Sequence, residues 1–362
     1  MSSFEVKDVV SNPEVEIPPT TGISSTPDWT QHEFVVPTRG ILETRDMTSW
    51  KSSDSFKEIF EFIKRCTESV VGMKRSDIPE LEDGTTSSGI VSKFVEFMKH
   101  MASKVDDFPP LKQPMRFGNK AFKQWHACLL KETDTFLHDL LPPALQGAVK
   151  ELAPYITNAF GNEVRIDYGT GHETSIMVFF LCLFKLRLVT EGDCAQVVLR
   201  GFAQYIQTMR RLQISYLLEP AGSHGAWGLD DYHCLTFLFG SAQLSAQKLA
   251  ESNYISPSGV HNNDILRASS ADYLYLEGIQ FIKVLKTGAP FAETSPILND
   301  ISGVSDWNKI CVGLLKMYQA EVLHKFPVVQ HFLFGSILLR PLTTGVDLRG
   351  LSLSAVAPSA AV

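Results

Sequence analysis

The sequence predicts an all-α fold, a single multi-helix domain, on three observations. Apolar residues recur at the i, i+3, i+4, i+7 spacing of one helix face along much of the chain. Sustained apolar–polar alternation, the mark of half-buried strands, is almost absent; only "EVRIDY" (163–168) suggests a short extended piece. No repeat of fixed period recurs, which argues against a helical solenoid.

Residues 1–30 are rich in Pro, Ser, Thr and Glu without periodicity and read as a flexible tail. The domain is expected over 31–345. "DSFKEIFEFIKRC" (54–66) places Phe56, Ile59, Phe60 and Ile63 on one helix face. "SKFVEFMKHM" (92–101) repeats the pattern with Phe94, Val95, Met98 and Met101. "NKAFKQWHACLLKETDTFLHDLL" (119–141) carries it through Phe122, Trp125, Leu129 and Leu130 until Pro142 and Pro143 stop the helix. Further helices are expected at about 145–153, 174–189, 193–217, 231–247, 271–286 and 305–325. Four turn-rich stretches, 76–89, 219–231, 251–264 and 286–300, are longer than helix connections require, and long loops often carry function. Residues 346–362 read as a second flexible tail.

Of the 362 residues 44% are hydrophobic and 20% charged, which suits a domain with a substantial core. A net charge of −7 and the lack of any Lys/Arg run argue against a nucleic-acid binder, which needs concentrated basic surface. The cysteines Cys66, Cys128, Cys182, Cys194, Cys234 and Cys311 are scattered with no CxxC pair. Free thiols in a reducing compartment follow, rather than zinc or a disulfide frame. The N-terminus lacks a basic start and an apolar stretch, and the longest uncharged apolar run, Ile176 to Phe184, is too short for a bilayer. A cytoplasmic or nuclear protein that engages no membrane is the expectation.

Three constellations could carry chemistry. In "DYGTGHETSIM" two glycines precede a long apolar helix. The third glycine of a dinucleotide fingerprint is replaced by Thr174, and Ile176 stands where a zinc-protease helix needs its second histidine. Two readings remain open. The turn and helix N-terminus could hold an anion with Arg165 and Thr170, or Thr170 or His172 caps the helix while Arg165 pairs with a carboxylate. In "EPAGSHGAWGLDD" the pair Asp230/Asp231 suits either a hard cation such as magnesium or simple helix capping beside a packed Trp227. His224 and His233 have no ligand partner at metal spacing. In "KTGAPFAETSPILNDISGVSDW" Gly288, Pro290, Phe291 and Trp307 suit a peptide-binding loop or a loop stapled to the core by Phe291. No nucleophile elbow, reactive-cysteine context, P-loop or kinase motif is present.

The stretches "FGNKAFKQWH", "YITNAFGNEVRIDYGTGHE", "MRRLQISYLLEPAGSHGAWGLDDYHCLTFLFGSAQL", "DYLYLEGIQFI", "KTGAPFAETSPILNDISGV" and "KFPVVQHFLFGSILL" together resemble the phosphotyrosyl phosphatase activators, also called serine/threonine-protein phosphatase 2A activators. The resemblance runs over about 32–342, and "LRPLTTGVDLRG" is similar to the fungal-type tail. It implies core, lid and linker subdomains around a deep cleft. It also implies binding of ATP–magnesium and of the phosphatase 2A catalytic subunit, and peptidyl-prolyl cis-trans isomerase activity on proline-containing segments. The family reading allows a monomer or a peptide-induced dimer. Carried over by motif, Arg165, Thr170 and Gly171 would contact the nucleotide, with Gln330, His331 and Phe332 on its other side. Gly225 and Asp231 would help hold magnesium, and Glu219, Pro220, Gly222, Trp227, Gly288, Pro290 and Phe291 would form the peptide and partner surface. A non-enzymatic, ATP-dependent chaperone that remodels or metal-loads the phosphatase is the alternative.

Overall fold

The computed structural model describes residues 28–78, 87–113, 118–222, 228–247 and 254–341. Of the two expected tails, all but residues 28–30 lie outside this range. The chain divides into two units, residues 1–32 and 33–362. In the first, the described residues form a 3-10 turn, Trp29–Gln31, whose Thr30 N–H is accepted by the Asp28 carboxylate at 3.0 Å.

The second unit is helical, as the periodicity requires. Its helices are α1 (Asp46–Ser52), α2 (Asp54–Ser69), α3 (Ser87–Ser103), α4 (Ala121–Leu140), α5 (Val149–Asn158) and α6 (Thr170–Lys185). After these come α7 (Cys194–Gln196), α8 (Ala203–Tyr216), α9 (Leu235–Ser245), α10 (Asn263–Ser269), α11 (Leu274–Leu285), α12 (Phe291–Thr294), α13 (Pro296–Ile301), α14 (Trp307–Tyr318) and α15 (Phe326–Val329). The extended pieces are two residues each: β1 (Thr38–Arg39), β2 (Asp167–Tyr168), β3 (Glu219–Pro220) and β4 (Leu333–Phe334). β1 pairs antiparallel with β4, and β2 pairs parallel with β3, Asp167 opposite Glu219 and Tyr168 opposite Pro220.

Local chemistry explains several boundaries. The Ser53 hydroxyl caps α2 by accepting the Phe56 N–H at 3.1 Å. α4 ends at Leu140, before the two prolines. The buried stripes are rotated slightly from the expected ones. Phe62 is buried in α2 where Phe60 is half-exposed, Phe97 replaces Val95 in α3, and Leu130 of α4 faces outward. The continuous helix expected at 193–217 is broken into α7, a π-helical stretch Val197–Phe202 and α8. The helix expected at 305–325 likewise passes from α14 into a π-helical stretch Gln319–Leu323.

α6 and α9 are the centre of the core. α6 is buried from His172 through Leu183, and α9 from Leu235 through Leu244. Helices apolar on all sides must be covered on all sides. α5 and α2 pack against α6, while α11 and α14 pack against α9. The approach of α9 to α11 is set by Gly240, where a Cβ would lie 2.0 Å from the Tyr275 backbone nitrogen. All six cysteines are free. Among the described residues no helix is long and apolar enough to cross a membrane.

Candidate functional site

The glycine turn before α6 is built by a tight loop at 162–167. Asn162 accepts the Val164 and Arg165 N–H groups through its side chain (3.0 and 2.8 Å) and the Ile166 N–H through its carbonyl at 2.7 Å. Ile166 is held at φ 55°, a left-handed conformation that a β-branched residue adopts only under surrounding constraint. The following residues form β2, and the Ala221 N–H donates to the Tyr168 carbonyl at 2.7 Å. At Gly169 a Cβ would come 2.6 Å from the Ala221 carbonyl oxygen, so glycine is required there. The strand pair therefore seats "EPAG" directly against "DYGTG", two motifs some fifty residues apart.

A cavity of about 240 Å³ opens at this junction, lined by Arg165, Asp167, Thr170, Lys325, His331 and Asn158 among others. Arg165 Nε donates to Asp167 Oδ2 at 2.6 Å, and Asp167 Oδ1 is buried with no hydrogen-bond partner. His331 Nδ1 is likewise buried and unpartnered. Burial lowers the His331 pKa, with Arg165 and Arg39 adding to the effect, so its ring is neutral at pH 7. The residues that carry these two unpartnered atoms, Asp167 and His331, both line this cavity.

A second cavity of about 300 Å³ adjoins the first, sharing Thr170, Ala221, Gly222 and Val328, and is lined by Asp230, Asp231, Met317 and Glu321. Asp230 Oδ2 accepts the Tyr232 and His233 N–H groups at 3.2 and 3.0 Å, while Asp231 pairs with Lys286 Nζ at 2.7 Å. Behind this wall lies Glu173, fully buried in the first turn of α6. Its carboxylate accepts the N–H groups of Cys234, Leu235 and Thr236 at 2.8, 3.0 and 3.3 Å, and His233 Nδ1 stands 3.4 Å away. A side chain of α6 thus caps the start of α9.

The expected site residues are distributed as follows. Arg165, Thr170, Gly171 and His331 meet at the first cavity. Phe332 packs behind Gly171, with its ring 6.0 Å from that of Trp50, and Gln330 turns its amide to the Pro327 carbonyl at 3.1 Å. Asp231 lines the second cavity, Gly222 lines both, and Glu219 and Pro220 form β3 beside them. Gly225 and Trp227 lie outside the described residues. Gly288 (φ 104°) and Pro290 are exposed, and Phe291 is half-buried against the His261 ring. Lys286, which holds both Asp231 and the Thr294 carbonyl, links this segment to the cleft. The core anchor of that region is Trp307, whose indole donates to Ile255 O at 2.6 Å. Of the two readings of the glycine turn, Arg165 does pair with a carboxylate, but Gly169 rather than Thr170 or His172 occupies the cap position. Asp167 and Lys286 carry no signal in the sequence and Glu173 enters it only within the incomplete zinc motif, since the spacing of Arg165 and Asp167 is ordinary and the partners of the other two are distant in the chain.

His172 Nδ1 donates to the Asn158 carbonyl at 2.5 Å, and burial pushes its pKa down to about 4. The folded state therefore resists a proton that the unfolded chain accepts near 6.5. Stability is full above that value and is lost as the pH falls from 6.5 towards 4, by about 3 kcal/mol in total for this one group. His126 shifts in the same direction through burial. Thermal melts between pH 7.5 and pH 5 are expected to show the loss, and His172→Gln is expected to flatten it. An unchanged slope in that variant would refute the assignment to His172.

Fold and cleft define an all-α protein with a two-chambered cleft. Residues 37–340 match the family model for the phosphotyrosyl phosphate activator (PTPA) protein, and the chain belongs to that family. A serine/threonine-protein phosphatase 2A activator 2 of Yarrowia lipolytica is 40% identical over 306 residues, 84% of this chain and 83% of its own length. A relative in Dictyostelium discoideum is 38% identical over 308 residues, 82% of this chain; the chain spans 64% of that relative's length. The crystal structure of the PP2A phosphatase activator Ypa1 PTPA1 superposes with a TM-score of 0.74 at 35% identity, over 85% of this chain and 96% of that one.

Proposed function

We propose that this chain activates the catalytic subunit of protein phosphatase 2A from a cytoplasmic or nuclear pool, binds ATP–magnesium in the cleft, and isomerises X–Pro bonds of a bound segment. The observation that carries the reading is the β2–β3 pairing. It puts the nucleotide-contact candidates Arg165, Thr170 and Gly171 beside the "EPAG" partner loop, with Gly222 lining both chambers. The names of relatives supply the phosphatase, and the donor set supports the nucleotide. Asp167 Oδ1 would accept from a hydroxyl or amino group, His331 Nδ1 would find its missing partner, and Arg165 would meet phosphate oxygens. Magnesium, when bound, would supply charge neutralisation to the nucleotide's phosphates. Asp231 would hold it after exchanging Lys286.

The chain's own contribution to isomerisation would be to hold a twisted amide out of water. Rotation about a peptide bond faces a resonance barrier of ~18–20 kcal/mol, and no nucleophile is needed to lower it. An ATP-dependent remodelling chaperone is the second reading, favoured by the separation of the 288–291 loop from the two chambers. Arg165→Ala and Asp231→Ala decide between them. On the first reading, activation of purified phosphatase and isomerisation of a free proline peptide fall together, each by about tenfold or more. Lost activation with intact isomerisation would instead establish remodelling, and wild-type activation in both variants would remove the cleft from the function.

A further inference from the structure

The second chamber and the 287–294 segment share one side chain. Lys286 caps α11, and its backbone N–H donates to the Ile282 carbonyl at 2.8 Å, so its main chain belongs to the fixed helix. Its ammonium reaches two ways. It meets Asp231 Oδ2 on the chamber wall at 2.7 Å, and it donates to the carbonyl of Thr294, the last residue of α12, at 3.1 Å. Three N–H groups on one nitrogen let both bonds form together. The Lys286 side chain is 21% exposed and that of Asp231 23%, so water and salt screen the pair weakly.

The segment itself is lightly held. The Glu293 and Thr294 N–H groups donate to the Pro290 carbonyl at 2.9 and 3.1 Å, and Ser295 donates to the Phe291 carbonyl at 2.9 Å, all within one turn. Thr287 through Pro290 are exposed. Gly288 sits at φ 104° with open space where a Cβ would be, a backbone position that glycine takes without strain and that suits a hinge. The segment rests on the remainder of the fold through the Phe291 ring, 5.8 Å from the His261 ring and 5.8 Å from Lys283 Nζ, and through the bond from Lys286 to Thr294.

We propose that Lys286 is a latch: a divalent cation that takes Asp231 expels the ammonium and thereby frees the 287–294 segment. The inference rests on the reading of Asp231 as a magnesium ligand. A cation on that carboxylate would stand beside the ammonium, and two positive charges in a weakly screened place repel. The long, flexible lysine stem then swings its charge to water, and Thr294 loses its donor. In the closed state Asp231, Lys286 and Thr294 are joined; in the open state Asp231 serves the cation and the segment keeps its ring contacts. Coupling between two sites is reciprocal, so a partner that docks on the freed segment tightens cation binding. The chamber therefore fills first, and Pro290 and Phe291 are presented afterwards.

Hydrogen–deuterium exchange of the full chain, with magnesium chloride alone and with ATP added, tests the latch in wild type and Lys286→Met, alongside calorimetric titration with the same probes. Without cation, the amides of Glu293, Thr294 and Ser295 are expected to exchange about tenfold faster in Lys286→Met. Magnesium–ATP is expected to raise the wild-type rates towards those of the variant and to leave the variant unchanged. The variant is also expected to bind magnesium about fivefold tighter, since no ammonium competes for Asp231. Wild-type exchange rates in Lys286→Met overturn the latch. Magnesium binding that leaves wild-type exchange unaltered also overturns it, and leaves the reading of Asp231 standing. Faster exchange in the variant with no magnesium binding by wild type overturns that reading, and the coupling with it. Should Lys286→Met fail to fold, Lys286→Gln removes the charge from a chain of similar length; the same rise in exchange is expected, and wild-type rates there overturn the latch.

Discussion

Replacing Glu173 with alanine is expected to destabilise the protein by about 4 kcal/mol, and to lower its melting temperature by about 8 °C. The carboxylate accepts three backbone N–H groups at the start of α9 and contacts His233, all in the dry centre of the fold. Alanine leaves those donors without partners where water cannot replace them, and adds a void. Glu173→Gln keeps a single acceptor oxygen and is expected to cost about half as much. If the cleft binds nucleotide as proposed, that affinity falls in both variants, because Thr170 and Gly171 ride on the same helical turn. A wild-type melting temperature in Glu173→Ala would show that the cap contributes nothing.

Gly240→Ala is the second large effect, and here the sign is the test. Alanine in a helix interior ordinarily gains about 1 kcal/mol over glycine. At Gly240 the new methyl would meet the Tyr275 nitrogen, Cα and Cβ at 2.0, 2.6 and 2.7 Å. Backbone cannot rotate aside, so α9 and α11 must separate, at a cost of about 3 kcal/mol. Gly313 of α14 is exposed and a Cβ there meets nothing within 4 Å, so Gly313→Ala is expected to stabilise slightly. Denaturant melts of the two variants shifting in the same direction would refute the contrast.

Much of this architecture is legible in local pattern. The helical class, the stop of α4 before Pro142 and the apolar run of α6 all follow from spacing and punctuation. What escapes is set by tertiary partners. α6 begins at Thr170 rather than at 174 because Gly169 is fixed against Ala221, a contact that helix propensity cannot register. The π-helical turn around Arg200 leaves the apolar spacing almost unchanged. Within the cleft, the glycines and Arg165 announce themselves. Asp167 and Lys286 acquire meaning only when β2 meets β3 and Lys286 reaches Asp231. Glu173 is the sharpest case: in sequence it is a fragment of an incomplete zinc motif, in space the cap of another helix.

The all-round burial of α6 also bears on how the chain is made. Ile176–Leu183 carries no charge and is rich in β-branched and aromatic residues, the composition of an aggregation-prone segment. Its cover includes α9, which leaves the ribosome roughly sixty residues and several seconds later at ordinary synthesis rates. For that interval a helix buried on all sides in the finished fold lacks one of its partners. Synthesis should therefore be more sensitive to holdase chaperones, and to the translation speed of residues 184–245, than the finished fold's stability would suggest.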